Sequence, residues 1–255
     1  MKKIWIATTA AAALALVGCG GGSEPKKETA APAPAAAPID EANAATITGK
    51  VSYDGPPVVA KTIDMSAKPE CVKANPTPAK TQEVVANANG GLQYAFVYIK
   101  SGLPDRTWPS QTAVELDQKG CMYGPHVIGI MAGQNVEVKN ADPTNHNIHP
   151  LPKNNQEWNE SQPPGSEPKM KTFAREEVMI PVKCNVHPWM QAFIGVLPHP
   201  FFAVTGDDGT YTIKGLPPGT YTLTVWHQKL APNGMDQQIT VGPKESKTSD
   251  FTLKG

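Results

Sequence analysis

The chain has no net charge: its 255 residues hold 23 basic and 23 acidic side chains, and no basic patch breaks the balance. Without such a patch, nucleic acid is not an expected partner. Long apolar patterns of helical period are also absent, which argues against a helical bundle. The apolar run at residues 4–17 is too short to span a bilayer and is typical of a signal peptide.

A lipid-anchoring signal follows that run. Leu16-Val17-Gly18-Cys19 resembles the lipobox of bacterial lipoproteins, which implies cleavage before Cys19 and lipidation of its thiol. The resemblance implies an extracytoplasmic protein anchored to a bacterial membrane, the outer one in a Gram-negative host because Gly20 is not Asp. An ordinary secretory signal is the alternative. Residues 19–45 are rich in Pro and Ala, cannot form a core, and are expected to be an extended tether.

The rest of the chain predicts an all-β fold. Its 26 prolines and 22 glycines separate short apolar or alternating runs, a pattern typical of β-sandwiches. The predicted strands lie at residues 46–51, 92–99, 127–130, 136–138, 177–182 and 193–197. We expect residues 154–171, which are polar and rich in Pro and Gly, to form a long loop.

The C-terminal part carries a separate signature. A turn at Asp207-Asp208-Gly209 precedes alternating Tyr211 and Ile213, and a Leu-Pro-Pro-Gly turn at 216–219 precedes a second alternating strand. The pattern resembles the carboxypeptidase regulatory-like module, a transthyretin-like β-sandwich. Its usual first strand resembles residues 47–55, some 150 residues upstream, so we expect another domain inserted within the module. The alternative is that this first strand extends the sheet of the other domain.

The candidate chemistry lies in a short loop with the spacing C-x2-H-x2-M: Cys184, His187 and Met190. Cysteine and methionine sulfurs are soft ligands that select copper, and a His2Cys set with a weak Met is that of blue-copper centres. The missing histidine is offered by His146-Asn147-Ile148-His149. The two segments resemble those of amicyanin-type cupredoxins, which have a Greek-key β-sandwich fold. The resemblance covers roughly residues 80–200 and implies one type 1 copper bound by His146, Cys184, His187 and Met190.

The expected domain organisation combines both resemblances. It consists of a signal peptide at 1–18, the lipidated Cys19 and tether at 19–45, the first part of the regulatory-like sandwich at 46–80, the cupredoxin domain at 81–200 and the remainder of the regulatory-like sandwich at 201–255.

The ligand set also indicates how the remaining cysteines pair. Cys71 and Cys121 lie outside the ligand motifs, and thiols pair in an oxidising compartment, so we expect them to form a disulfide. That leaves Cys184 as the one free thiol, protected by the metal. The alternative is a disulfide from Cys184 to one of the others and no metal.

Residues beside the ligands have expected roles as well. In cupredoxins the Asn after the ligand His tethers the two ligand loops, a role implied for Asn147. Asn185, Pro188 and Trp189 are expected around the ligands, with the edge of His187 as an electron port in an apolar patch that Trp189 helps to line. The alternative for Trp189 is ordinary packing at the end of the sandwich. His149 could replace His146, and His126 is a weaker candidate.

The resemblance implies a monomeric, membrane-tethered carrier that shuttles single electrons between redox protein partners. No second histidine cluster supports enzymatic turnover, so we expect no enzyme activity. Two other functions are open: copper handling without electron shuttling, and a metal-free sandwich that presents loops for binding or adhesion.

Overall fold

The computed structural model describes residues 39–255, and strands dominate them, which confirms the predicted all-β class. The predicted signal peptide, Cys19 and most of the tether lie outside the described residues. In the described part, no helix is long and apolar enough to cross a membrane.

One helix and seventeen strands are numbered here in chain order. The helix is α1 (Pro69–Ala74). The strands are β1 (Ala45–Asp54), β2 (Phe96–Ser101), β3 (Val114–Lys119), β4 (Met122–Gly124), β5 (Val127–Met131), β6 (Val136–Asn140), β7 (His146–Pro150), β8 (Glu160–Gln162), β9 (Lys169–Lys171), β10 (Glu177–Lys183), β11 (Gln191–Leu197), β12 (Phe202–Val204), β13 (Thr210–Leu216), β14 (Gly219–His227), β15 (Ala231–Val241), β16 (Ser246–Thr248) and β17 (Phe251–Lys254).

The first and last strands build what we call the outer sandwich. In one sheet β1 pairs with β13, β16 and β17, and the other has the order β12-β2-β14-β15. The alternation predicted for β13 is present, because Tyr211, Ile213 and Leu216 are buried and Thr212 and Lys214 between them are exposed. These side chains join one apolar core with β1, β2, β14, β15 and β17. The predicted turn needs Gly209, whose φ is +79° and whose added Cβ would lie 2.5 Å from the Val51 carbonyl oxygen.

A second sandwich is inserted into the first. The chain leaves the outer sandwich after β2 and returns at β12, and the strands between them form sheets of order β4-β3-β6-β9 and β5-β11-β10-β7-β8. This inserted sandwich has its own core. The strand β2 falls within the range 81–200 expected for the inserted part, yet it pairs with β12 and β14 of the outer sandwich. The outer sandwich therefore keeps residues up to Ser101, although Met65 and Cys71 upstream already pack in the core of the inserted sandwich.

The expected loop at 154–171 contains two short strands. β8 pairs with β7, with His146 opposite Gln162, and β9 pairs with β6. Sequence reasoning missed these strands because each is only three residues long and carries polar side chains. The segment is thus an edge of both inserted sheets and not a free loop.

The two sandwiches meet in a small apolar interface made of five buried side chains: Phe96, Tyr98, Val127, Leu197 and Trp226. Close approach depends on two glycines, Gly129 of β5 and Gly195 of β11, which are opposite each other in register. A Cβ at either position would lie under 3.0 Å from the ring of Phe96. The absence of side chains at this pair lets an aromatic side chain of β2 pack directly on the inserted sheet.

Candidate metal centre

The ends of four inserted strands place the predicted ligands. β6 ends at Asn140, and a turn leads to His146, the first residue of β7. β10 ends at Lys183, so Cys184 opens the loop that reaches β11 at Gln191. Within that loop the Cys184 N–H donates to the Met190 carbonyl (3.3 Å), and the Met190 N–H donates to the His187 carbonyl (3.0 Å). Both loops are therefore fixed by the sandwich and by their own backbone bonds.

Three of the four predicted ligands come together. One donor atom each from His146, Cys184 and His187 lies within 4.8 Å of the others, and all three residues are buried. The two imidazoles face each other, with 2.9 Å between their Nδ1 atoms, and Cys184 Sγ lies 3.8 Å from His187 Nδ1. Two nitrogens and one sulfur thus converge on one point in the core, which is the arrangement a single soft metal ion requires.

Met190 is fully buried in the same core cluster as Cys184. Its position is set by the backbone hydrogen bonds of the loop. A buried thioether on the ligand loop is compatible with the predicted role as a weak fourth ligand.

Asp142 orients the first histidine. Its Oδ2 lies 2.8 Å from His146 Nε2 and also accepts from the Cys121 N–H, and its Oδ1 accepts from the Gly120 N–H. A carboxylate on Nε2 keeps the proton on that nitrogen and leaves Nδ1 free to ligate. Sequence reasoning did not identify this role of Asp142. The available signal was a carboxylate four residues before a ligand histidine.

The electrostatics favour the deprotonated thiol. Burial alone would raise the pKa of Cys184, but hydrogen bonds from His146 and from backbone amides lower it. Burial alone would lower the pKa of His146, but Asp142 and Cys184 raise it. For His187, burial and then the nearby positive charge of His146 lower the pKa to about 4. Metal binding needs a thiolate and neutral imidazoles. The lowered pKa of Cys184 favours the thiolate, and the lowered pKa of His187 favours the neutral imidazole.

Asn147 links the two ligand loops, as its predicted role requires. Its Oδ1 accepts from the Asn185 N–H (2.6 Å) and lies 3.3 Å from Cys184 Sγ. Tyr123 adds a second link, because its hydroxyl lies within hydrogen-bonding distance of the Asn147 and Lys183 carbonyls (2.5 and 3.0 Å). Sequence reasoning did not identify Tyr123, whose strand β4 is only three residues long.

The expected exposed edge of His187 is not present. His187 has no exposed surface, and its Nε2 lies 3.4 Å from Cys71 Sγ. Cys71, in α1, forms a disulfide with Cys121, as predicted from the cysteine count. The disulfide and α1 thus cover the face of the imidazole that was expected to meet a partner. The sequence could not indicate this because Cys71 is more than 100 residues from His187.

The other predicted neighbours differ in exposure. Trp189 is half-buried, its ring centroid lies 5.3 Å from that of His187, and its Nε1 donates to the Cys121 carbonyl. Pro188 and Asn185 are exposed. Trp189 therefore packs against both the ligand and the disulfide.

The two alternative histidines lie elsewhere. His149 Nε2 is 2.6 Å from Glu157 Oε1, and its Nδ1 faces Asn185. The ring nitrogens of His126 face the Gln191 carbonyl and the Gln228 amide. Neither residue belongs to a cluster of metal-ligating side chains in the described part of the chain.

Comparison with known proteins gives one family match. The sequence profile of the carboxypeptidase regulatory-like domain matches residues 196–254, which agrees with the predicted module at the C-terminal end. Among proteins of curated function, no match is found.

Solved structures similar to the chain include two cupredoxins and a larger enzyme. A purple cupredoxin from Nitrosopumilus maritimus is 21% identical, with 32% of this chain and 98% of that chain covered and a TM-score of 0.28. Amicyanin from Paracoccus versutus is 19% identical, covering 39% and 96%, with a TM-score of 0.29. A copper-containing nitrite reductase from Thermus scotoductus is 19% identical over 37% of this chain and only 24% of its own length, with a TM-score of 0.31.

Proposed function

We propose that the inserted sandwich binds one copper ion through His146, Cys184 and His187, with Met190 as a weak fourth ligand, and exchanges single electrons with redox protein partners. The observation that supports it most is the buried convergence of one thiol and two imidazole nitrogens within 4.8 Å. A soft thiolate with two imidazoles is a donor set that suits copper. Copper bound in this way would supply reversible one-electron exchange between Cu(I) and Cu(II).

The protein's own contribution is a rigid and dry donor set. His146 and His187 have no exposed surface, and Cys184 is 3% exposed. Asn147 and Tyr123 connect the loops that carry His146 and Cys184, and Asp142 fixes the ring of His146. Donors that cannot move apart change little between two oxidation states, and this lowers the barrier to electron exchange.

The covered edge of His187 favours a second candidate function, copper storage or delivery. In the described part of the chain, the imidazole edge expected to serve as an electron port lies under the Cys71–Cys121 disulfide. A partner therefore cannot touch this ligand directly. A holding protein needs no such port, whereas a carrier would pass electrons through the cover or through the half-buried Trp189.

The proposal keeps the sequence-based expectations about setting. They are a lipid anchor on Cys19, an extracytoplasmic location, a monomer, redox protein partners and no enzyme activity. A lipid label on Cys19, detected by mass spectrometry of the membrane fraction, would test the anchor.

The test of the copper site uses the full chain with Cys19→Ser, so that the N-terminal thiol cannot add a ligand. Cu(II) addition should give an intense visible thiolate-to-copper band with one equivalent bound. Cys184→Ser should abolish the band, and His149→Gln should retain it as the matched control. A colourless copper complex would overturn the electron-carrier proposal, and no copper binding would favour the metal-free alternative. A fast reversible voltammetric couple would distinguish a carrier from a store.

A further inference from the structure

The outer nitrogen of His187 lies in an environment that its role as a copper ligand does not explain. With Nδ1 directed at His146 and Cys184, the Nε2 atom has a disulfide sulfur, Cys71 Sγ at 3.4 Å, as its neighbour. A divalent sulfur is a weak acceptor for a fully buried imidazole N–H. Buried polar groups ordinarily have a better partner than this one.

The same place holds a second group of soft donors. Cys71 Sγ, Cys121 Sγ and one ring nitrogen of His187 all lie within 4.8 Å of one another, and all three residues are buried. As a disulfide, the two sulfurs are poor ligands. As two thiolates beside an imidazole, they form a set that binds Cu(I) or Zn(II).

We propose that reduction of the Cys71–Cys121 disulfide creates a second copper site, formed by both thiolates and His187 Nε2, next to the first. This inference rests on the proposed copper function, because His187 would then bridge the two positions. We assign Cu(I) to it, since the adjoining donor set suits the same metal and the new set is rich in thiolate.

The chemistry balances with a dithiol reductant. Two electrons and two protons pass from the dithiol to the bridge, the protein S–S bond breaks, two S–H groups form, and the reductant becomes a disulfide. Binding of Cu(I) then displaces the two thiol protons as the S–Cu bonds form, and the proton on His187 Nε2 is released to solvent as that nitrogen becomes a ligand. No other co-reactant is needed.

Hydrogen bonds hold the two cysteines together independently of the bridge. Asn75 Nδ2 donates to the Cys71 and Gly120 carbonyls, both at 2.8 Å. On the Cys121 side, the Asp142 carboxylate accepts from the Cys121 N–H and the Trp189 ring donates to the Cys121 carbonyl. After reduction the thiols therefore stay on opposite sides of the same small space, in front of His187.

A surface pocket lies against this group. Its volume is about 450 Å³, and its lining includes Met65, Val72 and Asn75. Met65 Sδ lies 3.6 Å from Asn75 Nδ2, the same group that donates to the Cys71 carbonyl. Asn75 thus joins the wall of this pocket to the backbone of the cysteine pair.

The test counts Cu(I) equivalents bound by the full chain carrying Cys19→Ser, in competition with the chromophoric chelator bathocuproine disulfonate. The protein is measured as isolated and after anaerobic reduction by a phosphine that is then removed. We expect one equivalent before reduction and two after it. The free-thiol count should rise from one to three at the same step.

The matched control is the double variant Cys71→Ser/Cys121→Ser, with its fold checked by circular dichroism. It should bind one equivalent under both conditions. The proposal is overturned if reduction leaves the thiol count at one, if the reduced protein binds no additional copper, or if the double variant still gains an equivalent. Gain of Zn(II) in place of Cu(I) would overturn the metal assignment.

Failure of the two proposals can be told apart. If the protein as isolated binds no copper while the reduced protein gains one equivalent that needs Cys71 and Cys121, the first site fails and the second stands. With Cys184→Ser, the first equivalent should disappear and the reduction-dependent one should remain.

Discussion

The ligand histidines of the inserted sandwich and the buried polar residues His199 and Thr205 of the outer sandwich have different partners. In the outer sandwich, His199 and Thr205 are buried, and their partners are backbone groups: His199 contacts the Ile99 carbonyl and the Phe201 N–H, and Thr205 Oγ1 donates to the Leu92 carbonyl. In the inserted sandwich, His146 faces both Asp142 and His187. Side chains that bond to the backbone hold turns in place, whereas titratable side chains that bond to each other mark a site.

The apolar cores of the two sandwiches also differ in composition. The outer core is formed by aliphatic and aromatic residues from both sheets. The inserted core extends without a break into Cys184 and Met190, and also includes Cys71 and Cys121. The candidate ligands therefore all lie at one end of the inserted sandwich.

The largest expected effect tests whether the two sandwiches form one cooperative unit. Phe96 is fully buried at their interface, and its ring contacts Tyr98 and Phe202 (centroids 5.4 and 5.6 Å). Phe96→Ala should lower the free energy of unfolding by about 3–5 kcal/mol because it leaves a cavity between the sheets. Urea unfolding would be followed by circular dichroism and by labelling of Cys184.

The two probes should report one transition at the same lower urea concentration in Phe96→Ala. Labelling of Cys184 at a separate transition would show that the inserted sandwich is stable alone. Val59→Ala is the control, because Val59 is 84% exposed and its change should stay within about 0.5 kcal/mol.

The buried histidines of the outer sandwich should make the free energy of unfolding depend on pH. Burial lowers the pKa of His199 to about 4, although hydrogen bonds to the backbone oppose the shift. Because the unfolded histidine titrates near pH 6.5, unfolding takes up a proton between these values. Stability is therefore full above pH 6.5 and falls by about 1.4 kcal/mol per pH unit for each such histidine as the pH drops towards 4.

His199→Gln removes one of these groups from the outer sandwich. Urea unfolding of the metal-free protein at pH 7, 6 and 5 should show a slope shallower by about 1.4 kcal/mol per unit in the variant. His227, whose pKa is also about 4 because of burial, keeps its own part of the slope. Equal slopes in variant and wild type would contradict the assignment of the buried neutral form to His199.

Much of the fold follows from local pattern. β5, β6, β10 and β11 are found where alternating or apolar runs predict them, and the insertion follows from the distance between β1 and the turn at Gly209. β8 and β9 were missed because three residues are too few to show a periodicity, and their pairing depends on neighbouring strands from other parts of the chain.

The site divides in the same way. Cys184, His187 and His146 carry spacing that a sequence displays, and the structure brings them together. The residues around the ligands show no such spacing in the sequence. Asp142, Tyr123 and Cys71 reach the site only because separate strands and α1 meet at one end of the sandwich. Contacts between segments distant in sequence set the surroundings of the ligands, and a single sequence does not contain them.

A smaller effect is expected when a buried carboxylate, Asp142, and an exposed one, Asp208, are each replaced by an amide. Asp142→Asn leaves one oxygen for three donors and should cost about 1–2 kcal/mol in urea unfolding of the metal-free protein. It should also shift the visible band of the copper-loaded protein, because the ring of His146 loses its carboxylate. Asp208→Asn in the outer sandwich is the matched change, and its effect on the free energy of unfolding should be much smaller since Asp208 is exposed and its side chain accepts from Thr210. Equal costs would contradict the view that burial and three donors make the Asp142 carboxylate more important for stability than an exposed one.

The smallest effects on stability are expected from two surface ion pairs, one on each sandwich. Lys100 and Asp236 on the outer sandwich are 2.8 Å apart with side chains 52% and 43% exposed, so Lys100→Gln should change the free energy of unfolding only slightly. Lys171 and Glu160 on the inserted sandwich are 24% and 29% exposed, and Lys171 also lies 4.8 Å from the centre of the Trp158 ring. Lys171→Gln should cost about 0.5–1 kcal/mol, because partial burial and a cation–π contact are added to the ion pair.

High salt should reduce the effect of Lys100→Gln more than that of Lys171→Gln, since exposed pairs are screened more strongly. A larger loss at Lys100 than at Lys171 would mean that burial does not decide the strength of these pairs.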